Sequence, residues 1–243
     1  MLAIDISGSM QEMDMLIESR AVSRIEVLKK VATDFIERRE GDRLGLILFG
    51  TNAYTYVPLT FDLQTLNELL VDASIGLAGR GTAIGDAIGL AVKRMRERQA
   101  EQKILILVTD GSNTSGITDP IDAAQAAYQQ GLKIYTIGVG TDAETMRQKF
   151  GIKRIRPGTA LDENSLKQIA NITEGEYFRA RDIESLEAIY SKLDELEPIE
   201  REDRSYRPRE ELFFWPLLLG IAVLLLFIGW STWHFRRLGG INA

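Results

Sequence analysis

The chain opens with Met1-Leu2-Ala3-Ile4-Asp5-Ile6-Ser7-Gly8-Ser9-Met10. The apolar run from Met1 to Ile6 predicts a strand, and Asp5, Ser7 and Ser9 place a carboxylate and two hydroxyls at its carboxyl end. In open α/β sheets, ligands bind just beyond the carboxyl ends of the parallel strands. The stretch therefore predicts a central strand that delivers a ligand-binding loop. Carboxylate and hydroxyl oxygens are hard donors, suited to Mg²⁺, Mn²⁺ or Ca²⁺ and poorly suited to zinc or copper. Gly8 is expected to let the loop turn tightly around an ion. About four residues before Asp5 is short against the roughly five to six of an ordinary strand, so further sequence upstream is expected. No basic n-region and long apolar h-region mark a signal peptide.

Outward from this stretch, strands and helices alternate. Ser23 to Arg39 reads as an amphipathic helix, Asp42 to Gly50 as a buried strand, Ala53 to Val57 as a short edge strand and Asp62 to Asp72 as a short helix. Thr82 to Arg98 places Ile84, Ile88, Ala91, Val92 and Met95 on one helical face. Lys103 to Val108 is the most apolar strand; Ile121 to Gln130 is a helix closed by Gly131, and Leu132 to Val139 is a near-continuous apolar strand. Helix Asp162–Asn171, strand Glu176–Ala180 and helix Ile183–Leu196 complete the pattern. The expected fold is α/β: a mostly parallel sheet with helices on both faces, in three layers.

Two further oxygen donors fall at equivalent strand ends. Thr82 follows Gly79-Arg80-Gly81 before a helix, and Asp110 follows the strand Ile104-Leu105-Ile106-Leu107-Val108-Thr109. Asp5, Ser7, Ser9, Thr82 and Asp110 thus converge from three segments as candidate metal ligands. Two carboxylates and three hydroxyls leave Mg²⁺ incompletely coordinated, so it would keep waters or accept an outside oxygen. An acidic residue of a partner protein is the expected source. Asp86 and Asp122, near helix starts, read as structural carboxylates facing the helix dipole. Asn113 and Ser112 read either as supports around Asp110 or as turn residues. Met10, Met13 and Met15 are expected to line the rim of the site or to pack under its loop.

The order Asp-x-Ser-x-Ser, Thr, Asp at strand ends resembles the metal-ion-dependent adhesion site of von Willebrand factor A (VWA) domains, a Rossmann-like fold. The resemblance runs from the start of the chain to about Glu197, and Gly81-Thr82-Ala83-Ile84-Gly85-Asp86-Ala87-Ile88 and Thr109-Asp110-Gly111 add to it. Thr82 to Arg94, Ile134 to Gly140 and Tyr177-Phe178-Arg179-Ala180, followed by an apolar C-terminal segment, look like the bacterial aerotolerance-associated (Bat-type) membrane proteins. That resemblance implies Ser7 and Ser9 as direct ligands, Thr82 as direct or water-mediated, and Asp5 and Asp110 as direct or through water. It also implies assembly or stress tolerance of the bacterial envelope, alongside other Bat-type proteins and a MoxR-type AAA+ ATPase. Members of the family usually carry membrane spans before the domain as well.

Composition removes other classes. A formal net charge of -6 argues against nucleic acid as a partner, because phosphate binding needs a basic footprint. There are no cysteines and the only histidine is His234, so thiol nucleophiles, zinc-thiolate sites and Ser-His-Asp triads are excluded. The enzymatic alternative is a Mg²⁺-dependent phosphatase of the haloacid-dehalogenase-like type, which uses Asp-x-Asp-x-Thr after its first strand. Here Ser7 stands at the second carboxylate position, removing the acid/base partner. No Gly-x-x-x-x-Gly-Lys-[Ser/Thr] loop is present for a nucleotide. The expected function is non-enzymatic capture of a partner.

Between Thr141 and Ala160, Lys149, Lys153, Arg154 and Arg156 collect in what reads as a solvated surface loop. Residues 1–197 are expected to form the VWA domain and residues 198–211 a charged linker. From Leu212 to Trp233, 22 consecutive residues carry no charge; as a helix they would be about 33 Å long, enough for a bilayer core. Phe213, Phe214, Trp215, Trp230 and Trp233 form aromatic belts. A transmembrane helix over 212–234 and a short basic tail over 235–243 are therefore expected, with the protein in the bacterial cytoplasmic membrane. Arg201, Arg204, Arg207 and Arg209 before the span outnumber Arg236 and Arg237 after it, a count that favours a cytoplasmic domain and leaves the side open.

Overall fold

In the computed structural model, the described residues are 1–17, 20–96, 102–140, 161–197 and 214–238. The chain divides into two compact units, Met1–Glu202 and Asp203–Ala243. The first is built from β1 (Leu2–Asp5), a short 3₁₀ turn (Gly8–Gln11), β2 (Met15–Ile17), β3 (Arg20–Val22), α1 (Arg24–Arg38), β4 (Leu44–Phe49), β5 (Ala53–Thr60), α2 (Leu63–Asp72) and α3 (Ile84–Arg96). It continues through β6 (Lys103–Thr109), α4 (Pro120–Gln129), β7 (Leu132–Val139), α5 (Glu163–Ile172), β8 (Tyr177–Ala180) and α6 (Ile183–Leu196).

Six strands form one sheet in the order β5-β4-β1-β6-β7-β8, parallel throughout except for the antiparallel edge strand β5. The pleat sends alternate side chains to opposite faces, and β1 shows the division. Leu2 and Ile4 join the core beneath α1, α2 and α6, whereas Ala3 packs with α3, α4 and α5. Burial on both faces explains why β4, Leu44 to Phe49, is apolar without interruption. The three-layer α/β architecture expected from the sequence is present, with β1 in the middle of the sheet.

Local signals set the helix boundaries. Ser23 caps α1 in a capping box with Glu26, and Asp62, Asp119, Asp162 and Asp182 cap α2, α4, α5 and α6. Several boundaries shift slightly from expectation, two of them with a clear cause or consequence. β5 extends to Thr60, because β4 offers it an antiparallel partner along its length. α3 begins at Ile84 rather than Thr82, so Thr82 lies in the loop before the helix. The antiparallel ribbon β2–β3, inserted between the 3₁₀ turn and α1, was not foreseen; strands of three residues fall below any periodic signal.

The basic residues Lys149, Lys153, Arg154 and Arg156 and the linker 198–211 lie outside the described residues. Among its described residues the second unit holds one helix, α7, Phe214–Leu238, 25 residues long. The expected tail is thus helical at residues 235–238, and residues 239–243 lie outside the described residues. Side chains are described from Phe214 to Trp230, and all are exposed. Among the described residues no helix is long and apolar enough to cross a membrane.

Candidate metal centre

β1 ends at Asp5, whose side chain is fully buried. One carboxylate oxygen, Oδ1, accepts from the Ser7 backbone N–H at 2.8 Å, and Oδ2 accepts from Thr109 Oγ1 at 2.6 Å. The parallel neighbour β6 carries Thr109 at its own carboxyl end and hands the chain to Asp110, which is also buried. Ser7 and Ser9 follow β1: their hydroxyl oxygens are 3.1 Å apart, and Ser9 Oγ donates to Asp110 Oδ1 at 2.6 Å. Asp5, Ser7, Ser9 and Asp110 thus form one continuous chain of oxygens along the top of the two central strands. Gly8 is exposed and Ser9 half-buried, so this edge is open to the outside.

Thr82 is brought to the same place by backbone lacing. Its N–H donates to Thr114 Oγ1 at 3.0 Å, and its carbonyl accepts from the N–H groups of Thr114 and Ser115. The hydroxyl lies beside Gly111, 3.7 Å from where a Cβ there would sit, and makes no hydrogen bond among the described residues. Asn113, in the loop after β6, turns its side chain to the start of α3. Its Oδ1 accepts from the Ile84 N–H at 2.8 Å, so the loop that carries Asp110 caps α3. Asp86 accepts from the N–H groups of Ile117 and Thr118 and pins the far side of that loop.

Charge makes this arrangement costly without a cation. Burial, and then the neighbouring Asp110 carboxylate, push Asp5 up to about 7 from an ordinary 3.8, against its hydrogen bonds from Ser7 and Thr109. Asp5 has no ion-pair partner among the described residues. A buried, unpaired carboxylate is expensive, and a hard divalent ion would supply the missing charge while the Ser7, Ser9 and Thr82 hydroxyls add neutral donors. No cluster of three or more histidine, cysteine, aspartate or glutamate side chains placed to hold a metal occurs among the described residues. The donors here are two carboxylates and three hydroxyls.

Arg24, Asp14 and Glu12 escaped the sequence reading. The Arg24 side chain is buried and donates from Nη1 to Asp110 Oδ2 at 2.8 Å. It also grips Asp14 with Nε at 2.9 Å and Nη2 at 2.6 Å, and reaches Glu12 at 3.0 Å. Burial alone would lower its pKa, but Asp14 and then Asp110 raise it above the ordinary arginine value. One signal was available. Arg24 is the first residue of α1, where the helix dipole disfavours a cation, so another requirement must hold it there.

Gly8 has no left-handed φ and a Cβ there would meet nothing within 4 Å, so the turn does not depend on glycine. Of the methionines, Met10 and Met15 are buried in the core under the loop, and Met13 is exposed at its rim.

A family model, "von Willebrand factor type A domain", matches residues 1–192. An uncharacterized protein of Borreliella burgdorferi is 27% identical over 241 residues, which are 98% of this chain and 70% of that protein. A Mycobacterium protein described as a UPF0353 protein is 31% identical over 206 residues, 79% of this chain and 58% of its own length. The chain therefore spans only part of its relatives. Among solved structures it is similar to BatB from Bacteroides thetaiotaomicron, with a TM-score of 0.65, 29% identity and coverage of 80% of this chain and 96% of that one. It is also similar to an aerotolerance-related membrane protein from Bacteroides fragilis, with a TM-score of 0.64, 27% identity and coverage of 80% and 95%. At 20% identity, proximal thread matrix protein 1 of the mussel byssus, solved with a zinc-occupied adhesion-site motif, shares the fold with a TM-score of 0.61 and coverage of 80% and 44%. The sheet order, the loops above its central strands and the matched span of residues 1–192 agree, and the chain belongs to the von Willebrand factor type A domain family.

Proposed function

We propose that this chain binds a divalent cation through Asp5, Ser7, Ser9, Thr82 and Asp110 and uses it to capture an acidic residue of a partner protein. The observation that carries the reading is the buried Asp5 carboxylate, unpaired among the described residues and joined through the serine hydroxyls to Asp110. Mg²⁺ is the first choice and Mn²⁺ or Ca²⁺ the alternatives, because all five donors are hard oxygens. Two carboxylates and three hydroxyls would hold a divalent ion without filling its coordination, which would let a partner's carboxylate complete it. The protein itself only binds: it holds, orients and shields the cation.

The Bat-type neighbours support placing the chain at a bacterial membrane. In this reading the uncharged stretch from Leu212 to Trp233 serves as the anchor, and envelope assembly or stress tolerance, alongside other Bat-type proteins and a MoxR-type AAA+ ATPase, is the setting.

Calorimetric titration of the full chain in detergent with MgCl₂ and MnCl₂ tests the cation. Wild type should bind one ion and Ser7→Ala/Ser9→Ala should bind none; equal binding by both would remove the site from the proposal. Liposome flotation with and without residues 198–243 tests the anchor. Capture that survives EDTA would show that the partner does not bridge through the ion.

A further inference from the structure

Arg24 sits against the one carboxylate of the site that faces a counter-charge. Its Nη1 occupies Asp110 Oδ2 at 2.8 Å, while Asp110 Oδ1 accepts from Ser9 Oγ at 2.6 Å. The guanidinium is not free to swing away. Asp14 holds it by two hydrogen bonds and Glu12 by a third, and Gly140, just past β7, leaves the space beside it free of a side chain. A Cβ at Gly140 would come within 3.0 Å of Arg24 Cζ, and its φ of 128° already restricts the position to glycine. The capping box at Ser23 fixes the backbone from which the side chain departs. Four hydrogen bonds, two to Asp14 and one each to Glu12 and Asp110, therefore set this buried cation in one place.

We infer that Arg24 is a positioning residue that restrains the affinity of the cation site by turning one oxygen of Asp110 away and offsetting part of its charge. This rests on the cation-binding reading above. With Oδ2 committed to the guanidinium, Asp110 offers the ion a single oxygen and cannot chelate it in the bidentate way that Ca²⁺ favours. An ion held by fewer negative oxygens keeps more of its charge for an incoming carboxylate. Arg24 thus trades tight resting occupancy for a stronger response to the partner, and Asp14 sets how much of the guanidinium charge reaches the site.

Two substitutions separate this from a purely structural role, because their effects on affinity oppose each other. Neither residue is proposed to touch the ion. Arg24→Gln removes the positive charge and should tighten Mg²⁺ and Ca²⁺ binding by about tenfold, with the larger gain for Ca²⁺. Asp14→Asn releases guanidinium charge toward Asp110 and should weaken both ions by a similar factor. A structural role predicts that both variants lose affinity along with melting temperature. Titration of the full chain with each ion, beside melts in EDTA, reads the two quantities apart.

Weaker binding by Arg24→Gln that still melts cooperatively, or an unchanged Ca²⁺/Mg²⁺ ratio, overturns the inference. If Arg24→Gln does not fold, Asp14→Asn decides alone: no loss of affinity refutes it. Absence of any divalent binding by wild type would instead refute the cation-site reading itself.

Discussion

Replacing Asp5 with asparagine should stabilise the protein when no divalent cation is present and abolish its response to one. In the fold, Asp5 is pushed up to about 7 from an ordinary 3.8. The sign follows directly: the folded state holds this proton more tightly than the unfolded chain does. Below about pH 4 both states are protonated and nothing is lost. As the pH rises to about 7 the folded state loses stability relative to the unfolded chain, and above that the whole penalty is present. At 1.36 kcal/mol per pH unit, the difference corresponds to about 4 kcal/mol at pH 8. Asparagine removes the charge but keeps the shape. Its oxygen can still accept from the Ser7 N–H, while its NH₂ group meets Thr109 Oγ1, which now donates to the carboxylate and must turn. That mismatch costs about 1 to 2 kcal/mol, leaving a net gain of about 2 kcal/mol. For a domain of this size each kcal/mol moves the melting point by roughly 2–4 °C, so the variant should melt about 4–8 °C above wild type at pH 8 in EDTA. The gain should shrink toward zero at pH 5. Adding MgCl₂ should raise the wild-type melting point and leave the variant unmoved. A variant that melts below wild type in EDTA at pH 8, or one that responds to Mg²⁺ as wild type does, would refute the electrostatic argument.

Other substitutions probe the frame around the site. Asn113→Ala removes the acceptor for the Ile84 N–H and should cost about 1 kcal/mol in chemical denaturation, with reduced Mg²⁺ affinity because Asp110 shares its loop. The Tyr190 hydroxyl is buried without a hydrogen-bond partner among the described residues, while its ring packs on Phe35 at 4.8 Å. Tyr190→Phe should therefore leave stability unchanged or raise it by about 1 kcal/mol, measured by urea midpoint. Gly8→Ala should fold and melt as wild type does in EDTA, since φ and space both admit a methyl group. Gly140→Ala should lower the melting point by several degrees, because it adds a Cβ at a φ of 128° against the Arg24 guanidinium.

The sequence made the α/β frame legible because its strongest signals are local. β4 and β7 are apolar on both faces, the capping residues Ser23, Asp62, Asp162 and Asp182 mark helix starts, and Asp5, Ser7 and Ser9 are close enough in the chain to be read together. Thr82 and Asp110 are legible as candidates because each directly adjoins a recognisable element. Arg24 is not, since it touches Asp110 across 86 positions of sequence and no spacing rule links an arginine at a helix start to a distant strand end. The β2–β3 ribbon was missed for a different reason: two strands of three residues carry too little alternation to stand out from a loop.

Asn113 and Asp86 also tie the loop after β6 to the first turn of α3 from two sides. Opening that loop would expose the Ile84 amide together with those of Ile117 and Thr118, so these three should exchange with deuterium as one unit rather than singly. The segments bearing Thr82 and Asp110 therefore have one shared opening equilibrium, and an ion that slows exchange at one of these amides should slow it at the other two by the same factor.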